Sequence, residues 1–432
     1  MIKEYFELKR KKEKFQNLML SMGLDKFYLI EDIKITNGHI LKIGIPPTSN
    51  FKKFEEKKQQ LEDHFKGIVE IEKVRFSSMI QMKIITKDLG KYPFKIVKTH
   101  ANNLFIAREF DTTPFFIDLD KEGHVLIAGQ SGTGKTFLLS SLLCNLIATN
   151  EDYIEVHLSQ IMKGEVGQFA NCKCVKSVNY NLSEVAALLT KLKKKVDEKS
   201  KLFSSLGIKN LTHYIKKTKK YMKRIFFVIE EVSFFIPNDA DPEDIKSLKA
   251  KCWDAILVIV KAGRSAGIHF LSVTQRSTVA NLPSEVKAQM CCITTKQRSG
   301  LDSRNIIEVD DAKDLKDREC LVWGRDGLKL LKLPFIDEDF NDLKKFVPEI
   351  IVYDDSEEVK EEVKIKSFKI ESFDSYDDIK LEDYNKITAK KENIVANDEA
   401  SQEVSTEEPP KKKRGRRKKG AVIEDVAITT ER

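Results

Sequence analysis

The sequence predicts an α/β protein with a mostly parallel central sheet. Between residues 101 and 350, short apolar runs alternate with longer helical patterns, which is typical of strands joined by crossover helices. One apolar run, Val125–Ala128, leads through a glycine-rich loop into a helix-forming stretch that starts near Phe137. We expect a small α+β domain before this region, over residues 1–100, and a disordered tail after it, over 351–432.

The N-terminal domain shows signals for both helices and strands. A charged helix is expected from Glu4 to about Met22, and Asn37-Gly38 predicts a β-hairpin because this pair favours a tight turn. A second helix is expected to be capped by Thr48 or Ser49. Two further strands are expected: Ile68–Ile71 and Met79–Ile85. No catalytic pattern occurs here, which favours packing or a subunit contact.

The main domain contains apolar runs of strand length. Six of them are expected to form strands: Val125–Ala128, Tyr153–Leu158, Ile225–Ile229, Ile268–Val273, Met290–Thr294 and Cys320–Val322. Beyond Pro348 the periodicity is lost, and from Asp354 the chain is charged and poor in aromatic residues, which indicates disorder. Within this tail, every position of 411–419 except Gly415 is basic. An import signal, a nonspecific phosphate-binding arm and a merely solvated tail are all consistent with that run.

Bulk composition restricts the classes of protein. The 432 residues carry a net charge of +8, a modest surplus that agrees with a nucleic-acid partner without requiring one. The seven cysteines lack zinc-site spacing, so buried free thiols in a reducing compartment are expected. No apolar run approaches the ~20 residues of a membrane helix. We therefore expect a cytoplasmic protein that does not insert into a membrane by itself; recruitment by a membrane or element-encoded partner stays open.

A phosphate-binding loop (P-loop) pattern is the strongest functional signal. Its members are Gly129, Gln130, Ser131, Gly132, Thr133, Gly134, Lys135 and Thr136. Glycines allow the backbone to curl around a phosphate, and the following helix N-terminus favours negative charge. Lys135 is expected to reach the terminal phosphates and Thr136 to bind Mg²⁺ through its hydroxyl. The sequence therefore predicts a site for ATP and Mg²⁺.

A second acidic motif favours hydrolysis over binding alone. Arg224–Ile229 is an apolar strand pattern that ends in Glu230 and Glu231. We expect Glu230 to support the Mg²⁺ ion and Glu231 to polarise the attacking water, because phosphoryl transfer to water requires both. Surface charge at a strand end is the competing interpretation of this pair.

A glycine-bearing turn and another strand follow. The strand is expected to end at Thr274 and Gln275, and Gln275 is well placed to sense the γ-phosphate. Four arginines are candidates for a finger that reaches a neighbouring subunit's nucleotide, although each could equally be a salt-bridge partner. They are Arg264, Arg276, Arg298 and Arg304.

Together these residues resemble the FtsK/SpoIIIE family of ring-shaped DNA translocases. The resemblance spans about residues 90–335 and is most specific at Gly263–His269 with Thr274–Arg276. Leu301–Arg304 and Gly207–Leu211 are similar to two further family segments. The resemblance implies a RecA-like fold, a hexameric ring, and ATP-driven passage of double-stranded DNA through a central channel.

The sequence also departs from the family pattern. Glu230 stands where the family has Asp, and Cys291-Cys292 stands near the position where relatives have a Pro and then an Arg. The inter-subunit arginine is therefore unassigned or has moved to Arg298. Segments similar to the family's membrane anchor and winged-helix DNA reader are not apparent, which favours a phage or mobile-element type of member.

The leading hypothesis is an ATP-driven motor that translocates double-stranded DNA during transfer, segregation or packaging. Basic stretches at Lys191–Lys195 and Lys216–Arg224 are candidates for DNA contact, with solvated helix faces as the competing interpretation. Two alternatives keep the same fold. One is a coupling or secretion ATPase that moves protein, and the other is an ATP-binding switch with little turnover.

Overall fold

The computed structural model describes residues 2–161, 166–275, 283–352 and 379–380, with side chains from residue 9 to residue 352. Contacts divide the chain into two compact units, residues 1–378 and 379–432. Of the second unit, only the two-residue strand Ile379–Lys380 is described. The basic run 411–419 lies outside the described residues.

The N-terminal part is an antiparallel sheet covered by helices. Its elements are α1 (Ile2–Ser21), β1 (Tyr28–Ile35), β2 (Gly38–Gly44), α2 (Phe51–Glu55), α3 (Lys58–Phe65), β3 (Ile68–Lys73) and β4 (Met79–Ile85). The strand order is β1-β2-β4-β3, and the predicted Asn37-Gly38 hairpin is confirmed. The predicted cap at Thr48 or Ser49 is wrong. Asn50 caps α2, because its side chain accepts a hydrogen bond from Lys53 N at 3.0 Å.

A larger sheet follows. Its strands are β5 (Asn103–Arg108), β6 (Pro114–Asp118), β7 (His124–Ala128), β8 (Ile154–Ser159), β9 (Val175–Asn179), β11 (Arg224–Ile229), β12 (Ile268–Thr274), β13 (Met290–Thr294), β14 (Glu319–Gly324) and β15 (Gly327–Lys332). A short strand, β10 (Lys220–Tyr221), precedes β11. Over the described residues, the order of the large sheet is β6-β5-β15-β14-β13-β7-β12-β11-β8-β9. The strands from β13 to β9 pair in parallel, and the remaining pairs are antiparallel. The predicted mostly parallel α/β sheet is confirmed.

Helices connect the strands and cover the large sheet. They are α4 (Leu119–Glu122), α5 (Lys135–Asn150), α6 (Leu182–Ser205), α7 (Leu211–Thr218), α8 (Glu243–Ala266), α9 (Ser284–Lys287), α10 (Gly300–Ile307) and α11 (Asn341–Lys344). The long helices α6 and α8 pack together and against β11 and β12, where Leu189, Phe227, Ile256 and Phe270 share one core. β7, β11 and β12 are buried along their whole length, so this region holds the nucleotide motifs on a rigid support.

The cysteines and the helices bear on two expectations from composition. All seven cysteines are free and buried, as expected from their spacing. In the part of the chain that the structure describes, no helix combines the length and the apolar character needed to cross a membrane.

Lys199 is a buried lysine that links the two long helices. Its side chain is 4% exposed, and Nζ donates a hydrogen bond to the carbonyl oxygen of Ala266, the last residue of α8, at 3.0 Å. Burial lowers the pKa of Lys199 to about 7, and the charges of Lys195 and Arg224 act in the same direction. The ordinary pKa of 10.5 applies in the unfolded chain. Between pH 7 and pH 10.5 the unfolded state therefore binds more protons, and stability must rise with pH.

Replacing Lys199 with Met is expected to remove this pH dependence. Between pH 7 and pH 9, the free energy of unfolding of the original chain should rise by about 1 kcal/mol per pH unit relative to that of the variant. Urea denaturation at several pH values measures both curves. Lys201→Met, an exposed lysine of the same helix, is the matched control and should run parallel to the original. If the curve of stability against pH for Lys199→Met runs parallel to that of the original chain, Lys199 keeps its ordinary pKa.

Candidate nucleotide-binding site

The P-loop joins the end of β7 to the start of α5, as predicted. Gly132 and Gly134 have φ angles of +76° and +92°, in the left-handed region that favours glycine. Gly134 is the N-cap of α5, and Lys135 and Thr136 form its first turn. The first turn of a helix directs backbone N–H groups towards an anion, and the helix dipole adds to their attraction.

Lys135 lies folded over its own loop. Its side chain is 8% exposed, and Nζ donates to the carbonyl oxygens of Gly129 at 2.8 Å and Gln130 at 2.7 Å. A lysine in this position places its charge inside the curl of the loop, where the phosphates of a nucleotide would be held.

Glu231 connects two neighbouring strands at the same edge of the sheet. It directly follows Glu230 after β11, and its Oε1 accepts hydrogen bonds from Thr274 Oγ1 at 2.9 Å and Ser233 Oγ at 2.6 Å. Its Oε2 accepts from the backbone N of Gln275 at 2.9 Å. The structure therefore brings together Glu231, Thr274 and Gln275, which the sequence had placed at the ends of two strands.

Glu230 points into the protein interior. It is 5% exposed, and its Oε1 accepts a hydrogen bond from the backbone N of Val166 at 2.9 Å. Carboxylate and hydroxyl oxygens are the ligands that Mg²⁺ takes in proteins, usually one or two of them with water and phosphate oxygens completing the shell. Thr136 carries a hydroxyl oxygen and Glu230 a carboxylate, which are these two donor types. No cluster of three or more His, Cys, Asp or Glu that could hold a metal is found among the described residues.

The candidate finger arginines lie in different places. Arg298 is exposed on the loop after β13, at the P-loop edge of the sheet, whereas exposed Arg264 ends α8 at the opposite edge. Arg264 Nη1 donates to the carbonyl oxygens of Asp120 at 3.3 Å and Lys121 at 3.1 Å. Arg304, on α10, forms an ion pair with Asp310. The structure does not bring these arginines together, and Arg276 lies outside the described residues.

A cleft of about 430 Å³ lies at that opposite edge of the sheet. Basic side chains predominate among its charged lining residues, which are Lys121, Glu122, Lys261, Arg264, Lys287, Glu308 and Arg325. His124 also lines it and is 1% exposed, with Nδ1 accepting from Phe270 N at 3.0 Å. Burial lowers the pKa of His124 to about 4, so the imidazole is neutral at pH 7.

One part of the predicted basic surface is buried. Arg224 ends the stretch Lys216–Arg224 and is 3% exposed, so it is unavailable for DNA. Arg224 Nη2 instead donates to Asp120 Oδ1 at 2.7 Å. In the stretch Lys191–Lys195, Lys195 forms an ion pair with Glu155 at 3.6 Å.

Two contacts at the site were not anticipated. Ser233 holds Glu231, and Thr295 has its Oγ1 2.7 Å from that of Thr133 in the P-loop. The available signals were a serine two residues after the carboxylate and a pair of threonines at the end of an apolar strand.

Part of the chain is similar in sequence to known DNA translocases. Residues 95–246 match the model of the FtsK/SpoIIIE family. The chain is 22% identical over 257 residues to the DNA translocase FtsK of Streptococcus pneumoniae, which covers 57% of this chain and 34% of that protein. It is 25% identical over 234 residues to the DNA translocase SftA of Bacillus subtilis, covering 51% of this chain and 23% of that protein. The chain thus spans about a third or less of the length of these relatives.

Solved structures share the fold. The conjugation coupling protein TcpA of pCW3, in its monomer form with ATPγS, is 18% identical, with a TM-score of 0.56 over 74% of this chain and 93% of that one. ATPases 2 and 3 of EssC from Geobacillus thermodenitrificans are 13% identical, with a TM-score of 0.51 over 60% of this chain and 50% of that one. At these identities the likeness shows the fold alone. Residues 95–246 thus match the FtsK/SpoIIIE family model, and the chain shares the fold of these ATP-binding proteins.

Proposed function

We propose that the chain is an ATP-driven motor that translocates double-stranded DNA, for transfer, segregation or packaging on behalf of a phage or mobile element. The observation that carries the proposal is the arrangement at one edge of the sheet. The P-loop follows β7, Glu231 follows β11, and Gln275 follows β12, which lies between them. Glu231 is hydrogen-bonded to the backbone of Gln275 at 2.9 Å. A candidate base and the backbone of a candidate phosphate sensor are therefore directly linked.

Each residue has a role in this proposal. Lys135 and the P-loop backbone hold the phosphates, Glu231 accepts a proton from the attacking water, and the Gln275 side chain senses the γ-phosphate. Thr136 and Glu230 hold Mg²⁺, which neutralises charge on the phosphates when it is bound. One of Arg264, Arg298 and Arg304 acts on the nucleotide of the neighbouring subunit in a homo-oligomeric ring, which we propose to be a hexamer.

The cargo is inferred from chemistry and from the relatives. FtsK and SftA are both named DNA translocases. The net charge of +8 suits a polyanion, and contacts to the DNA backbone would weaken steeply with salt as counterions are released. Buried free thiols fit a reducing compartment, so the proposal places this motor in the cytoplasm. A membrane or element-encoded partner would recruit it.

Duplex DNA is expected to stimulate ATP hydrolysis, increasingly with DNA length, and Lys135→Ala is expected to abolish turnover. The physical reason is that Lys135 supplies positive charge inside the loop that holds the phosphates. The measurement is the ATPase rate against duplex length at several salt concentrations, with particle size by light scattering. Lys58→Ala, an exposed lysine of α3, is the control and should behave as the original chain.

The other outcomes separate the competing functions. Turnover that DNA does not stimulate would favour a coupling or secretion ATPase with protein cargo. Binding without turnover would favour an ATP-dependent switch. A chain that stays monomeric with ATP and duplex present, and does not hydrolyse ATP, contradicts the motor altogether.

A further inference from the structure

The strand β13 continues beyond its last residue alongside the P-loop. Within the sheet, Thr294 pairs with Ala128 at the end of β7. Past that point, the backbone N of Thr295 donates to Ala128 O at 2.9 Å, and Gln130 N donates to Lys296 O at 3.1 Å. The parallel ladder therefore extends into the first residues of the loop.

A hydroxyl pair adds a side-chain contact to this ladder. Thr133 Oγ1 donates its only proton to Gln130 O at 2.6 Å. Thr295 Oγ1 can therefore donate to Thr133 Oγ1 at 2.7 Å, a shorter contact than its alternative to Ala128 O at 3.4 Å. Thr295 is fully buried. A Cβ added at Gly129 would lie 1.9 Å from Thr295 Oγ1, so the first glycine of the loop is required by the close approach of this threonine.

Gln297, two residues after Thr295, is hydrogen-bonded outside the P-loop. Gln297 N donates to Ala312 O at 2.9 Å, and Gln297 Nε2 donates to Thr294 Oγ1 at 2.8 Å. Gln297 is 4% exposed, so these bonds are shielded from water. The end of this segment is therefore anchored by hydrogen bonds that do not involve the P-loop.

We propose that Thr295 is a positioning residue for the P-loop, whose hydroxyl holds Thr133 and so keeps the loop curled to receive phosphate. A loop already held in its binding conformation loses less conformational entropy when a ligand binds. The inference rests on the proposed function only in that the loop binds a nucleotide. It requires neither hydrolysis nor DNA.

Thr295→Val is expected to weaken nucleotide binding about fivefold to tenfold, the effect of losing one neutral hydrogen bond in a binding site. The variant keeps the shape of the side chain and loses its hydroxyl. Binding is measured with a fluorescent ADP analogue. KM for ATP should rise by a similar factor, while kcat at saturating ATP stays within about twofold, because Thr295 acts on binding. Thr295→Ser restores the hydroxyl and should restore affinity.

Thr294→Val is the matched control. Thr294 is equally buried, but its hydroxyl contacts Thr295 O at 2.9 Å and Gln297, and no P-loop atom in the described contacts. A loss of affinity equal to that of Thr295→Val would show a general effect of the strand end and would overturn the proposal. Unchanged affinity in a folded Thr295→Val would overturn it directly.

Thr133→Val tests the same bond from the other side, and Thr133 is only partly buried, so the variant should fold. It should weaken binding at least as much as Thr295→Val, because Thr133 also loses its bond to Gln130 O, and adding Thr295→Val to Thr133→Val should weaken binding no further. Additive losses would show that the two hydroxyls act independently, which contradicts the proposal. If Thr295→Val weakens ADP binding while duplex DNA fails to stimulate ATP hydrolysis by the original chain, the motor is rejected and this inference stands.

Discussion

Glu231→Gln is expected to lower kcat by about 100-fold or more while leaving ATP bound, because a general base contributes about 10² to 10⁴ in rate. The amide is the same size as the carboxylate but cannot accept the proton of the attacking water. The variant chain should therefore accumulate in the ATP state. Single-turnover hydrolysis and binding of labelled ATP measure the two effects separately.

The contacts of Glu231 explain why the variant should fold. A glutamine oxygen can accept from the backbone N of Gln275, and its Nε2 can donate to Thr274 Oγ1 and Ser233 Oγ, because hydroxyl groups also accept. These three contacts, at 2.9, 2.9 and 2.6 Å, then retain a partner, and only the longer bond from the backbone N of Ser233, at 3.4 Å, loses its acceptor. We expect little change in the thermal midpoint. An equal loss of ATP binding and of hydrolysis would instead indicate a damaged site.

Glu72→Gln is the matched control for this substitution. Glu72 lies in β3 of the N-terminal sheet, its side chain is 66% exposed, and its partner is Lys329 at 3.7 Å. The Glu72→Gln variant should leave both ATP binding and ATP hydrolysis unchanged. A Glu231→Gln variant that hydrolyses ATP normally would show that Glu231 is not the base, and Glu230→Gln would then be the next variant to measure.

The fold was predictable where burial is complete. The six predicted strands are present within one or two residues of their expected bounds, because strands buried on both faces read as continuous apolar runs. β5, β6, β9, β10 and β15 were missed. Polar and apolar side chains mix over the short, partly buried runs of β6, β9 and β15, whereas β5 is buried at its four central positions and was missed nonetheless. Such short mixed runs do not differ from loops in sequence.

The element on which each motif lies was predictable from the sequence, but the arrangement of the motifs was not. Each motif has its own local pattern, and the carboxyl ends of parallel strands meet at one edge, so a common location was a fair expectation. The order β13-β7-β12-β11 decides which ends are neighbours. Thr133 and Thr295 are 162 positions apart, and only this order brings them together. Local sequence contains no signal for it.

Arg224→Met is expected to destabilise the chain by about 3–5 kcal/mol, because it breaks a buried ion pair and leaves one charge uncompensated. The Arg224 and Asp120 side chains are 4% and 18% exposed, with Nη2 to Oδ1 at 2.7 Å. Arg224 also donates to Thr212 Oγ1 at 2.8 Å and to His269 Nε2 at 3.0 Å. The free energy of unfolding, measured in urea, should fall by that amount.

His269 makes the loss larger than that of a single pair. Its Nδ1 donates to Gly123 O at 2.6 Å, so its Nε2 is the acceptor for Arg224. Burial, followed by the charge of Arg224, holds the pKa of His269 well below its usual value, which keeps the imidazole neutral. Arg224→Met leaves this buried nitrogen without its donor, next to the turn that leads into β7 and the P-loop.

Arg304→Met is the matched control for this last prediction. Arg304 forms an ion pair with Asp310, and their side chains are 52% and 43% exposed. Solvent screens such pairs, so the loss should stay below about 1 kcal/mol. Adding Asp120→Asn to Arg224→Met should recover part of the stability, because it removes the uncompensated carboxylate. Equal losses for Arg224→Met and Arg304→Met would show that the buried pair contributes no more than a surface one, and that the turn before β7 is held by packing.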